Sequence, residues 1–258
     1  METNIHPTAI IEEGVELDQG VKVGPFSLIG AGAKIGSGTK IDHHSSVVGR
    51  TQIGCDCMIF PYSFIGAKSQ DIKSKGDRLG VVIGDRNIFR EYTTVHAASK
   101  DDDITVIGND CLLCAYSHVA HDCFVGNHLI MSSHAALGGH VQIEDHVNIA
   151  WGSGVHQFCR IGSYSMLGAC AKLVQDIPPF MICEGNPAEV RTINTIGLQR
   201  AGFSEQEIQL ARRVYRILYR EGMNRSQAVD KLMSDEESDS SIIRTVIKFA
   251  NESERGFA

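Results

Sequence analysis

The chain has 258 residues, 43% of them hydrophobic, and a formal net charge of −7, enough for one large core or two modest ones. The acidic balance argues against general nucleic-acid affinity, which needs a concentrated basic face. The amino terminus, METNIHPTAIIEEG, shows no basic segment followed by an apolar run, and no apolar stretch reaches the length of a membrane span; the expectation is a soluble cytoplasmic protein with no transmembrane segment.

From Ile5 to Leu173 a hydrophobic residue returns at every sixth position. Of the 29 positions in that series, 26 are Ile, Leu, Val, Met or Phe. The exceptions are Asp71, Asp77 and Asp101, which fall in two polar stretches, 66–82 and 96–106, that read as inserted loops. A period of six is neither the helical period nor strand alternation; it marks a hexapeptide-repeat parallel β-helix. Three hexads close one coil, so residues a full coil apart stack at about 4.8 Å on neighbouring strands. One coil cannot bury its own apolar face, so stability is cooperative along the stack.

Four of the eight cysteines, Cys57, Cys111, Cys123 and Cys159, stand four places after an anchor. Elsewhere that slot holds Ala9, Ser27, Ala33, Thr39 or Ser63, so it selects a small inward side chain, and a free thiol fits as a small hydrophobe. The one CxxC spacing, Cys111 to Cys114, has no second pair to complete a zinc site, and the thiols read as structural.

The six-residue rhythm stops near Pro178. A link over 178–194, with Pro178, Pro179 and Pro187, is expected to fix an angle between array and tail. Ser204 and Glu207 form a capping box ahead of a helix with Ile208, Ala211, Tyr215 and Leu218 on one face and Gly222 as its stop. Further helices are expected near 226–234 and 240–251. The chain therefore divides into a mainly β array over 1–187 and a small C-terminal α-helical domain over 188–258. On the first helix Arg212, Arg216 and Arg220 share one stripe, which is either a docking face for an acidic protein or a solvated surface.

Seven of the eleven histidines lie between 118 and 156. Stacking sets His121 beside Gly139 on the next coil, and Asp122 beside His140. A base, a carboxylate to orient it and an exposed amide suit acyl transfer onto a hydroxyl: imidazole takes the proton, worth about 10²–10⁴-fold, and the glycine N–H faces the developing oxyanion. Histidines in so regular an array also serve as corner fillers. Histidine pairs five residues apart, the spacing of zinc sites shared between hexapeptide subunits, do not occur, so no metal is expected. IGSGTK at 35–40 lacks the full phosphate-loop spacing, and the slot of Cys123 points it inward, away from a nucleophile's role.

The segments VAHDCFVGN (119–127), GGH (138–140), VHQFC (155–159) and QDIPPF (175–180) closely resemble the bacterial UDP-N-acetylglucosamine 3-O-acyltransferase family. IHPTAI, SQDIK (69–73), IGDRNIFRE (83–91) and GLQRAGFS (197–204) extend the resemblance, in order, over essentially the whole chain. The resemblance implies a left-handed coil and a homotrimer with sites in clefts between neighbouring prisms. It implies transfer of a 3-hydroxyacyl chain from acyl carrier protein to UDP-N-acetylglucosamine, the opening step of lipid A biosynthesis. The phosphopantetheine of the carrier then brings the donor, and no further cofactor is needed.

By the same resemblance His121 is the general base, Asp122 orients it, and the Gly139 amide is the oxyanion donor. His118, His140, His156 and Gln157 line the cleft. Asp71 and Lys73 contact substrate from the first loop, while Asn194 and Arg200 lie near the nucleotide or the donor's phosphates. Ala169 replaces a glycine bounding the acyl tunnel and is expected to shorten it slightly. Pro187 stands where the best-known members have histidine, and Ile196 where they have a glutamate that contacts the nucleoside. Rival readings are the N-acyltransferase of the same pathway, whose globular domain precedes its hexads whereas here they begin at Ile5, a coenzyme A-dependent acetyltransferase, and a silent trimeric scaffold. Acyl length, acyl 3-hydroxylation and an oxygen or nitrogen acceptor stay open.

Overall fold

A computed structural model describes residues 2–76 and 78–258; Asp77, one of the three breaks in the hexad series, lies outside the described residues. The series folds as a left-handed parallel β-helix. Its short strands gather into sheets of eleven, nine and eight strands, and within the coiled array each strand is bonded to one a coil away. The pairing of Asn4 with Lys22 and of Leu112 with Ile130 spans 18 residues. Across the first inserted loop Phe64 pairs with Thr94, 30 residues on, and across the second Thr94 pairs with His118, 24 residues on. The insertions thus amount to two hexads and one, which is why the series keeps step through them. They are shorter than the stretches 66–82 and 96–106. Strands Phe64–Ala67, Gly80–Ile83, Thr94–His96 and Ile104–Ile107 run into those stretches, leaving 68–76, 78–79 and 97–103 outside the wall.

Every hydrophobic anchor from Val23 to Leu173 is at most 4% exposed. Burying one Val, Leu or Ile is worth about 1.5–3 kcal/mol, so these columns are the main stabilising term. Ile5, on the terminal coil with no neighbour beneath it, is 41% exposed. The small inward slot does more than fill space. Thr39 Oγ1 donates to the carbonyl of Gly54, Ser45 Oγ to Phe60, Cys111 Sγ to Gly126 and Cys123 Sγ to Gly138, each on the following coil. A hydroxyl or thiol there satisfies a corner carbonyl that the ladder leaves over, so the slot is polar as well as small.

The residue three after an anchor repeatedly takes a positive φ, among them Tyr92 (60°), Asp122 (58°), His140 (60°) and Phe158 (66°). Left-handed backbone costs a non-glycine residue about 1–2 kcal/mol, and stacked rings offset part of it. Tyr62, Tyr92, Tyr116 and His134 stack along one edge of the prism with centroids 4.8–5.0 Å apart. His128, His146 and Tyr164 stack along another at 4.4 and 4.6 Å. Three of the seven clustered histidines, His128, His134 and His146, are therefore corner rungs.

The link over 178–194 is a β-hairpin. Met181–Gly185 adds a parallel strand to the first sheet and Ala188–Ile193 returns antiparallel. The division at residue 187 falls in its turn, and by hydrogen bonding the second strand belongs with the sheet. Four helices follow: α1 (Thr195–Arg200), α2 (Glu205–Tyr219), α3 (Arg225–Met233) and α4 (Ser241–Glu252). The short α1 escapes a periodicity search. The capping box of α2 is complete, with Ser204 and Glu207 bonding each other's backbone N–H. Its deepest residues are Ile208, Ala211, Val214 and Ile217, whereas Tyr215 and Leu218 lie at the edge of that face. The buried Asp176 accepts hydrogen bonds from Arg160 N–H (2.8 Å) and Ser253 Oγ (2.6 Å), tying the end of the chain to the last coil. No helix among the described residues is long and apolar enough to cross a membrane.

Candidate active site

His121 and Asp122 occupy the corner between the second and third sheets, and the corner one coil on carries Gly139 and His140. The backbone fixes that register: His140 N–H donates to the carbonyl of His121 at 3.0 Å. His121 Nδ1 and Asp122 Oδ2 lie 2.7 Å apart. A proton on Nδ1 then leaves Nε2 as a lone pair facing outward. Asp122 is itself held, accepting Ser99 N–H on Oδ1 at 3.0 Å and donating its own N–H to Thr105 Oγ1 at 2.9 Å. Burial alone raises the Asp122 pKa, but the hydrogen bonds from Ser99 and His121 outweigh it and hold the carboxyl below its usual range. The second loop, through Ser99, thus grips the residue that orients His121.

A Cβ built on Gly139 would lie 2.5 Å from His121 Cε1, closer than real carbon atoms approach. Only glycine lets the ring lie flat against this backbone. The ladder engages the N–H groups of Gly138 and His140, while the Gly139 N–H has no partner among the described residues. A free amide beside a free imidazole nitrogen is the pairing that acyl transfer requires.

These groups border a cavity of roughly 380 Å³ lined by Gln70, Asp71, Lys73, His96, His118, Ala120, His121, His140, Gln157 and Phe158. Asp71 sits in a turn of the first loop, its Oδ1 accepting the Lys73 N–H at 2.9 Å, and both residues line the cavity with His121. Ser74 Oγ donates to the carbonyl of Ser99 and so links the two loops. His140 Nε2 lies 3.4 Å from Asp122 Oδ2, and its ring stacks on Phe158 at 4.6 Å. A groove of the same volume lies on the first sheet among Lys22, Lys40, Met58 and Phe60. It also holds His6 and Asp42, but His6 Nδ1 pairs with Thr8 Oγ1 and Asp42 Oδ1 accepts the His43 N–H, so no carboxylate among the described residues orients the imidazole and the chemistry points to the histidine cavity.

Four residues of this cavity have no sequence signal of their own: Gln70, Ala120, Phe158 and His96. His96 is 5% exposed with Nδ1 unpartnered, and burial together with the facing His118 and His121 pushes its pKa down to about 4. Burial and His121 lower His118 as well, and Thr94 Oγ1 pairs with its Nδ1 at 2.8 Å. Both rings are thus held neutral near pH 7. Their position follows from stacking across the second loop, whose extra hexad hides it from an 18-residue count.

Other candidates lie elsewhere. His156 is exposed at the rim, its Nδ1 3.1 Å from the carbonyl of Gln157. Asn194 is 9% exposed and caps α1 through Gly197 N–H while donating to the carbonyl of Tyr164. Its amide is therefore committed to the fold. Arg200 is exposed at the end of α1, and Ala169 is exposed at the corner between the first and second sheets. None of Asn194, Arg200 or Ala169 lines the histidine cavity of its own chain. Cys123 is 1% exposed and its thiol is pushed up to about 12 by burial, so it is no nucleophile. Stacking draws ligand-competent atoms of His121, Asp122 and His140 to within 4.8 Å of one another.

Residues 176–258 match the model of a family described as UDP-N-acetylglucosamine O-acyltransferase, domain 2. The chain is 45% identical over 259 residues to the acyl-(acyl-carrier-protein)–UDP-N-acetylglucosamine O-acyltransferase of Burkholderia lata, and 45% identical over 258 residues to that of Paraburkholderia xenovorans, covering 98% of both chains in each case. Among solved structures, LpxA of Acinetobacter baumannii superposes with a TM-score of 0.94 at 37% identity, over 98% of this chain and 99% of that one.

Since His96 binds a proton only near pH 4 when folded but near 6.5 when unfolded, its contribution to stability is full above about pH 6.5 and is lost as pH falls toward 4. His96→Gln is expected to flatten that acid limb of the denaturation free energy against pH. An unchanged limb, or an NMR titration placing His96 near 6.5, contradicts the assignment. Through identity along its full length and the likeness of its fold, the chain belongs to the acyl-(acyl-carrier-protein)–UDP-N-acetylglucosamine O-acyltransferase family.

Proposed function

We propose that this protein transfers an acyl chain from the phosphopantetheine thioester of acyl carrier protein to the 3-hydroxyl of UDP-N-acetylglucosamine, the first step of lipid A biosynthesis. The observation that carries the reading is the Asp122-held ring of His121 lying against the unpartnered Gly139 amide. His121 Nε2 takes the hydroxyl proton as the sugar oxygen attacks the thioester carbonyl. The carbonyl oxygen becomes an oxyanion and accepts the Gly139 N–H. On collapse the C–S bond breaks, and the protonated imidazole returns its proton to the leaving thiolate, so the base ends as it began.

Asp71, Lys73, His118, His140 and Gln157 are positioned to grip the sugar and diphosphate, with His156 at the rim. A cationic Lys73 beside neutral imidazoles suits an anionic nucleotide. Asn194, Arg200 and the acyl-limiting Ala169 would meet this cavity only from a neighbouring copy. A homotrimer is supported by the outward residues of the first sheet, where Met58, Ile88, Leu112 and Ile130 are successive strand partners. The exposed edge of Tyr62, Tyr92, Tyr116 and Trp151 runs beside them. Apolar surface on that scale marks an interface. Eight unpaired thiols fit a reducing cytoplasm.

On α2 the arginine stripe is divided in its duties. All three are exposed; Arg216 Nε lies 3.7 Å from Glu221 Oε1, a loose pairing, whereas Arg220 lies over the ring of Tyr215 and donates to its hydroxyl. Carrier docking therefore falls mainly to Arg212 and Arg216. Arg212→Glu with Arg216→Glu is expected to raise KM for the carrier-borne donor about tenfold with kcat little changed, since rim charges act on encounter. An unaltered KM removes the docking role.

The decisive assay weighs the products formed from UDP-N-acetylglucosamine and a panel of acyl-carrier thioesters. His121→Ala is expected to lower turnover by at least about 10²-fold while the melting temperature holds. Failure of the unmodified protein with every carrier thioester contradicts the reading, as does near-normal turnover by His121→Ala.

A further inference from the structure

His121, Asp122 and His140 are the one group of three metal-competent side chains found among the described residues. The donor set is two imidazoles and a carboxylate, which in catalytic zinc sites leaves one coordination position open. Bonds of about 2.0–2.2 Å around a tetrahedral zinc separate ligand atoms by about 3.3–3.6 Å. His140 Nε2 and Asp122 Oδ2 already stand at 3.4 Å. His121 Nδ1 and Asp122 Oδ2, at 2.7 Å, would have to part by about 0.6–0.9 Å to share the ion.

The ligands are also buttressed as metal ligands are. Asp122 Oδ1 is held by Ser99 N–H, leaving Oδ2 to face the two rings, and His140 lies flat on Phe158 with an interplanar angle of 7°. Such outer contacts fix ligand orientation. The site opens into the cavity, which gives an ion its path.

We propose that His121, Asp122 and His140 form a binding site for a borderline transition cation, Zn²⁺ foremost, and that the bound ion arrests acyl transfer. The arrest rests on the base assignment above; the binding does not. Coordination through Nε2 occupies the lone pair that accepts the substrate proton. Coordination through Nδ1 moves the ring proton to Nε2, with the same result. Magnesium, which demands six oxygen ligands in an octahedron, does not suit two nitrogens and one carboxylate oxygen, so the effect is selective.

The test uses the full, metal-stripped protein in a non-chelating buffer. Calorimetric titration with Zn²⁺, and the visible absorption of Co²⁺ as substitute, is expected to give one tightly held ion per protomer. That ion is lost in His140→Asn and in Asp122→Asn, each checked for fold by circular dichroism, and kept in His134→Asn, which alters a corner rung. Initial rates, read as acylated sugar nucleotide rather than free thiol, should fall about 100-fold at saturating Zn²⁺, return with EDTA, and ignore Mg²⁺. Absence of Zn²⁺ binding, or binding unchanged in both variants, overturns the site. Binding that both variants lose, accompanied by undiminished rates at saturation, upholds the site and refutes the arrest, and with it the role of His121 as base.

Discussion

The structure depends on a single spacing constraint: a hydrophobic side chain turned inward at every sixth residue, stacked on its equivalent a coil away. Because the anchors from Val23 to Leu173 are almost wholly buried, slipping a strand by one residue would expose an entire face of the core. That cost fixes which residue lies over which along the whole prism, including residues that contribute nothing to the core. Catalytic geometry is inherited from this locking. His121 and His140 face each other because Val119 and Leu137 are packed partners in the second sheet.

The corners convert the same regularity into chemistry. A left-handed backbone at the third residue after each anchor turns side chains outward in ladders. Along two edges those ladders include runs of stacked rings, none of which is hydrogen-bonded to a carboxylate among the described residues. Along the third they are Asp122, His140 and Phe158, and the carboxylate sits where His121, one residue earlier, can bond to it. The two insertions complete the site at no cost in register, being whole hexads. Loop one brings Asp71 and Lys73 over the cavity, and loop two holds Asp122 through Ser99.

Most of the architecture was legible because one period dominates the sequence, and the neighbours of His121 followed from counting a coil forward. What the period does not encode was missed. His96 faces His118 only because the second loop adds a hexad between their strands. The hairpin of Met181–Gly185 and Ala188–Ile193 is two strands without hexads, and its prolines read as a rigid link. The committed amide of Asn194 depends on α1, six residues long and too short for a helical pattern. The cysteine slot was read as small, although its bonds to corner carbonyls make it polar as well. The trio of His121, Asp122 and His140 has no signature along the chain because stacking brings His140 in from the next coil.

Contact between the imidazole of one coil and the glycine of the next underlies the whole account, and adding a single methyl group interrogates it. A Cβ at position 139 would stand 2.5 Å from His121 Cε1 and 2.6 Å from Nε2, so Gly139→Ala must push the ring aside while leaving the core columns untouched. The measurement is kcat for the purified Gly139→Ala protein beside its melting temperature. The account predicts a kcat reduced by about 10²-fold or more at a melting temperature within a few degrees of the unmodified protein. Undiminished kcat would mean that ring and amide do not meet.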